Sequence, residues 1–119
     1  MPRNHLSRYK TFIGKYLDGS LETVRYHDTY IVKVDVLGNV TLNTGGWLSV
    51  TTKRKINAAI EEFNLFNCHV SVFQQHGKWF INVSINENSY GTAIEWDGTP
   101  ITLDRQGNIV SYNNLEMVG

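Results

Sequence analysis

The spacing of turn signals constrains this chain most. Asp18-Gly19, Gly38-Asn39, His76-Gly77, Asp97-Gly98 and Gly107-Asn108 cut it into short runs rich in Val, Ile, Thr, Tyr and Phe. Gly and Asn accept the backbone angles of tight turns, and runs of this composition between such turns pair as antiparallel hairpins. The runs alternate with period two. In Tyr30–Val36, Val32, Val34 and Val36 share one face, and Lys33 and Asp35 the other. In Lys78–Asn86, Trp79, Ile81, Val83 and Ile85 alternate with Phe80, Asn82 and Ser84. Such alternation belongs to a sheet with one covered face and one wetter face. Strands are expected near 8–16, 20–27, 30–36, 39–43, 68–75, 78–86, 92–96, 100–104 and 108–112.

One segment breaks the alternation. Over residues 52–64 the apolar positions are Ile56, Ala59, Ile60 and Phe63, the spacing of a helix with one buried stripe. Thr51 or Thr52 is the expected N-cap, and Asn64 and Asn67 suit a left-handed exit. The first turn then holds Lys53, Arg54 and Lys55, where the helix dipole disfavours each cation by a few tenths of a kcal/mol. Strands, one helix, then more strands give an α+β class. The expected architecture is a mostly antiparallel β-sheet of several hairpins with one central amphipathic helix packed on it, residues 1–119 forming one domain.

Charge excludes some functions. Eleven Lys+Arg stand against eleven Asp+Glu in 119 residues. A uniformly basic nucleic-acid coat and an acidic nucleic-acid mimic both need a large charge of one sign. The zero total is nevertheless uneven along the chain. Through Lys55 there are nine basic residues and four acidic ones, a balance of +5; after it, two basic and seven acidic, a balance of −5. A single cysteine, Cys68, rules out an internal disulfide framework, and the start Met1-Pro2-Arg3-Asn4-His5 has no apolar signal region. A reducing cytoplasm is expected, with no membrane span.

The densest chemistry lies between Leu42 and Asn57. Gly45 and Gly46 permit a sharp bend, Trp47 offers an aromatic surface, and Thr51, Thr52, Lys53, Arg54 and Lys55 open the helix. Three readings stay open. The block is a plain strand-to-helix turn with Trp47 buried; or a protein-partner surface centred on Trp47 and Arg54; or a cradle for nucleic acid or a phosphorylated nucleotide. In the last, Gly45, Gly46 and the helix start would meet an anion. It is not a P-loop, because G-x-x-x-x-G-K-[ST] is missing. The strand around Trp79 lacks the aromatic register of an RNA-recognition domain.

No residue pattern specifies a reaction. Cys68 and His69 are strand neighbours that point to opposite faces, and Cys68 is expected to pack as a small apolar residue. A hydrolase built on His27 or His69 would need a pocket joining one of them to a carboxylate. Four scattered histidines show no metal-ligand spacing. The expectation is therefore a non-enzyme with no cofactor and no metal, and with homodimerisation through an edge strand open.

Several pieces resemble a family of small, functionally uncharacterised bacteriophage proteins: His27-Asp28-Thr29-Tyr30-Ile31-Val32, Leu42 to Trp47, Thr51 to Asn57, Gly77-Lys78-Trp79-Phe80, and Trp96 to Ile101. The likeness spans roughly residues 20–103, leaving Arg3, Arg8, Lys10 and Lys15 outside it, and the Leu-Asn-Thr-Gly-Gly-Trp to Thr-Thr-Lys block is its specific part. It implies a virus-encoded accessory protein in the cytoplasm of an infected bacterium, and it implies no reaction. Together with the missing catalytic constellation and the basic cluster beside Trp47, this leads to the expectation of a non-enzymatic inhibitor of the host-takeover or anti-defence type. Such an inhibitor binds a host macromolecule, a host protein first and nucleic acid or a nucleotide as the alternative.

Overall fold

The computed structural model describes residues 6–86, 88–89, 91–112 and the backbone of 115–116. Arg3, Glu87 and the side chain of Glu116, which enter the charge balance, lie outside the described residues. Ten strands and one helix follow in order: β1 (Thr11–Lys15), β2 (Leu21–Tyr26), β3 (Thr29–Val34), β4 (Val40–Leu42), α1 (Val50–Glu62), β5 (His69–Gln75), β6 (Lys78–Ser84), β7 (Thr92–Glu95), β8 (Ile101–Leu103), β9 (Ile109–Tyr112) and β10 (Leu115–Glu116). The class is α+β, mostly antiparallel with a single helix.

The strands divide between two sheets, where one was expected. The first runs β1-β2-β3-β4-β8-β9-β10 and the second β5-β6-β7, with every pairing antiparallel. β4 and β8 are neighbours, so α1 and the second sheet form one insertion between adjacent strands. The helix buries Thr52, Lys55, Ile56, Ala58, Ala59 and Ile60, more than one stripe, because it packs against β3 of one sheet and β5 of the other. Burying each Ile contributes about 1.5–3 kcal/mol. The core joins these to Val24, Ile31, Val32, Val40 and Leu42 of the first sheet and Val70, Val72, Trp79 and Ile81 of the second.

Both alternating runs end early. β3 stops at Val34 and β6 at Ser84, so Val36 and Ile85 are exposed instead of facing the core. The helix starts at Val50, and Ser49 is the N-cap rather than Thr51 or Thr52. Ser49 Oγ accepts from Thr52 N at 3.2 Å and donates to Thr52 Oγ1 at 3.0 Å. Thr52 thus occupies the place of the acid in a capping box. Asn64 has φ 54, the expected left-handed exit.

The β3–β4 and β8–β9 turns share the pattern Asp-x-x-Gly-Asn. Asp35 Oδ1 accepts from the amides of Leu37 and Asn39, and Asp104 Oδ1 from those of Gln106 and Asn108, all at 2.9 Å. Burial pushes the Asp104 carboxyl up, but bonds from Asn108, Gln106 and Gly107 outweigh it and hold it below its ordinary 3.8. Folding therefore prefers the ionised carboxylate. The stability this supplies is present above pH 3.8 and lost as pH falls through the lower folded value. Thermal melts should show Tm dropping on acidification below about pH 4, with part of the drop absent in Asp104→Asn.

Candidate functional site

The block between β4 and α1 begins with an anchor. Thr44 is buried, and both its amide and its Oγ1 donate to the Gly98 carbonyl, at 3.0 and 2.9 Å. Gly45 (φ 64) and Gly46 (φ 89) then turn through the left-handed region, and Trp47 N closes the turn on Thr44 O at 3.1 Å. A Cβ on Gly45 would collide with the Thr29 side chain, so the bend also needs glycine for space. The turn throws Trp47 outward, 71% exposed, with Leu48 and Val50 about half exposed beside it.

The reading with Trp47 buried is therefore overturned. An anion cradle built on the two glycines also loses its donors. Gly45 N is engaged by Asn43 Oδ1 at 2.9 Å and Gly46 N by Thr44 Oγ1 at 3.2 Å. Ser49 answers two helix amides, through its Oγ to Thr52 N and its carbonyl to Lys53 N.

The three cations separate. Arg54 is exposed and Lys53 half-buried, while Lys55 is 4% exposed and belongs to the core rather than the surface. Its Nζ donates to Ser7 O at 3.0 Å and sits 4.9 Å from the Tyr26 ring centroid. Burial, with Arg8 nearby, pushes its ammonium below the ordinary lysine value. Helical rotation explains the split, since Lys55 falls on the same face as Ile56 and Ala59. Thr51 is exposed, and Thr52 is buried beneath the cap.

A cleft of about 420 Å³ opens beside Trp47, lined by Tyr26, His27, Asp28, Thr29, Ile31, Thr44, Ser49 and Thr52. His27, at φ 55 in the β2–β3 turn, packs its ring on Tyr26 at 4.3 Å. His27 and Asp28 thus reach one pocket, which sequence reasoning left open. Among the described residues no hydrogen bond links the His27 imidazole to a hydroxyl or carboxylate there. Cys68 is half-buried, less enclosed than expected, and Sγ donates to Gln106 O at 3.4 Å. Burial and the nearby Asp104 push its thiol up, away from a reactive thiolate. No helix among the described residues is long and apolar enough to cross a membrane.

Comparison with protein families gives a match to the family described as Kyanoviridae Gp96 protein, over residues 3–102. It reaches further toward the N-terminus than the likeness read from the motifs, taking in Arg3, Arg8, Lys10 and Lys15. Neither the curated proteins nor the solved structures give a match.

Proposed function

The chain belongs to the Kyanoviridae Gp96 protein family, a family of phage proteins, and from that premise we propose that it is an accessory protein that binds a host protein without catalysing a reaction. It acts in the cytoplasm of the infected bacterium and alters its partner's activity by occupying it. One observation carries the reading: Trp47 stands 71% exposed on a turn that fixes it there, at the mouth of a cleft. Contiguous exposed apolar surface marks interaction sites, and Trp and Arg are enriched among interface hot spots. Leu48 and Val50 widen the apolar surface, and Arg54 supplies a charged rim. Lys55, buried, takes no part.

Immobilised wild-type chain should retain a saturable protein from host lysate. Trp47→Ala with Arg54→Ala should weaken that binding at least roughly 30-fold, the scale of losing about 2 kcal/mol at a hot spot. Lys55→Met should leave it unchanged. A missing partner, or equal binding by the double variant, would refute the proposal.

A further inference from the structure

The outer face of β1–β3, remote from the helix, carries a second surface of different chemistry. The register places Phe12, Arg25 and Tyr30 in one row across the three strands. Phe12 is 57% exposed and Tyr30 44%. The Arg25 guanidinium lies 4.5 Å from the Phe12 centroid, and Lys33 Nζ lies 5.1 Å from that of Tyr30. A row of small or hydroxylated residues and a cation, Gly14, Thr23, Lys33 and Thr41, runs alongside. Among the described residues neither Arg25 nor Lys33 joins an ion pair.

This arrangement depends on a bulge. Val24 pairs with Val32 and Arg25 with Tyr30, so Ile31 is the extra residue on β3. Ile31 and Val32 are both buried, which leaves Tyr30 and Lys33 on the same outer face. Strict alternation would have turned Tyr30 inward with Val32. The exposed aromatics of the described chain, Tyr9, Phe12, Tyr30 and Trp47, all fall in its basic half.

The geometry points to a binding surface for single-stranded nucleic acid on this face. Aromatic platforms two strand spacings apart, about 10 Å, each partnered by a cation, match a ligand that alternates flat bases with phosphates. Base stacking on such rings does not depend on sequence, and the cations neutralise the backbone. A duplex keeps its bases paired, out of reach of a sheet face. Glu22 and Asp35 line a groove with Tyr30 and Lys33, so carboxylates border the face on that side and confine the strand to the aromatic row.

Fluorescence anisotropy with labelled oligo(dT) and oligo(U) of about 16 nucleotides, and a duplex control, tests this. Both or either single strand should bind saturably at low salt, more tightly than duplex, and the two arms tell DNA from RNA. Phe12→Ala and Tyr30→Ala should each weaken binding about 5- to 100-fold, while Tyr30→Phe keeps it. Lys33→Gln should reduce the salt slope by about one phosphate contact. Trp47→Ala, which removes the proposed host-protein contact, should bind oligonucleotide as wild type does, so the two proposals fail separately. Flat titrations, duplex binding equal to single strand, or indifference to both aromatic replacements would overturn the inference. Circular dichroism of each variant should match the wild type, since all are altered only at exposed positions.

Discussion

Replacing Trp96 with Ala should destabilise the fold by about 3–5 kcal/mol. The residue follows β7 and is 1% exposed, with its ring tilted against Trp79 at 6.2 Å between centroids. Its Nε1 donates to Thr99 O at 2.7 Å, and its amide donates to Trp79 O at 2.9 Å. Truncation removes the largest fully buried side chain among the described residues, and the cost adds the lost burial of the ring to that of the cavity left behind. It also takes away the ring that holds the 97–99 turn, whose Gly98 carbonyl anchors Thr44 and so the Trp47 loop. Because small domains hold only about 5–15 kcal/mol, Tm should fall by roughly 10–20 °C in thermal melts. Trp96→Phe, which keeps most of the volume but loses the donor, should lose less than half as much.

The second large effect is expected at Asn57. Its side-chain amide spans the helix-covered outer edge of β5, with Nδ2 donating to Val72 O at 2.9 Å and Oδ1 accepting from Val72 N at 2.7 Å. The helix thereby acts as a substitute strand on an edge that would otherwise be open. Asn57→Leu leaves both Val72 groups without partners beneath the helix. At about 1–3 kcal/mol for each of the two orphaned groups, urea titration should show a loss of roughly 2–6 kcal/mol. Hydrogen exchange at the Val72 amide should speed up more than at amides within the β5–β6 ladder. A loss no larger than that of a surface substitution would show that the bridge contributes little.

Much of this architecture is legible in local sequence, because turns and alternation are local properties. Each of the nine strands read from period and punctuation has a counterpart, and the 3.6-residue spacing located the helix to within two residues. What escaped depends on tertiary contact. Two sheets rather than one follow from where the chain inserts α1, which no local pattern encodes. The β3 bulge at Ile31 reverses the face of Tyr30, and a one-residue register change is invisible to a period-two reading. Lys53-Arg54-Lys55 reads as one basic cluster, yet the turn of the helix sends the third cation inward to Ser7 and Tyr26. That face could have been read from the helical stripe, since Lys55 sits four residues before Ala59 and beside Ile56. Asn57 gives no such signal, because an Asn on a helix surface normally meets water.

The charge asymmetry of the chain partly survives folding. Arg8 pairs with Glu62 at 3.1 Å, joining the halves. Lys10, Arg25 and Lys33 remain together on the β1–β3 meander, with Lys10 O accepting from the His27 amide at 3.1 Å. A chain of zero net charge thus keeps a local basic, aromatic face on β1–β3.

Binding through Trp47 is tested most directly by the equilibrium affinity of the host protein retained by the wild-type chain, measured against Trp47→Ala/Arg54→Ala with matched melting curves. Affinity should fall at least roughly 30-fold with Tm unchanged, because both side chains are exposed and lie outside the core. Undiminished affinity in a folded double variant would contradict it.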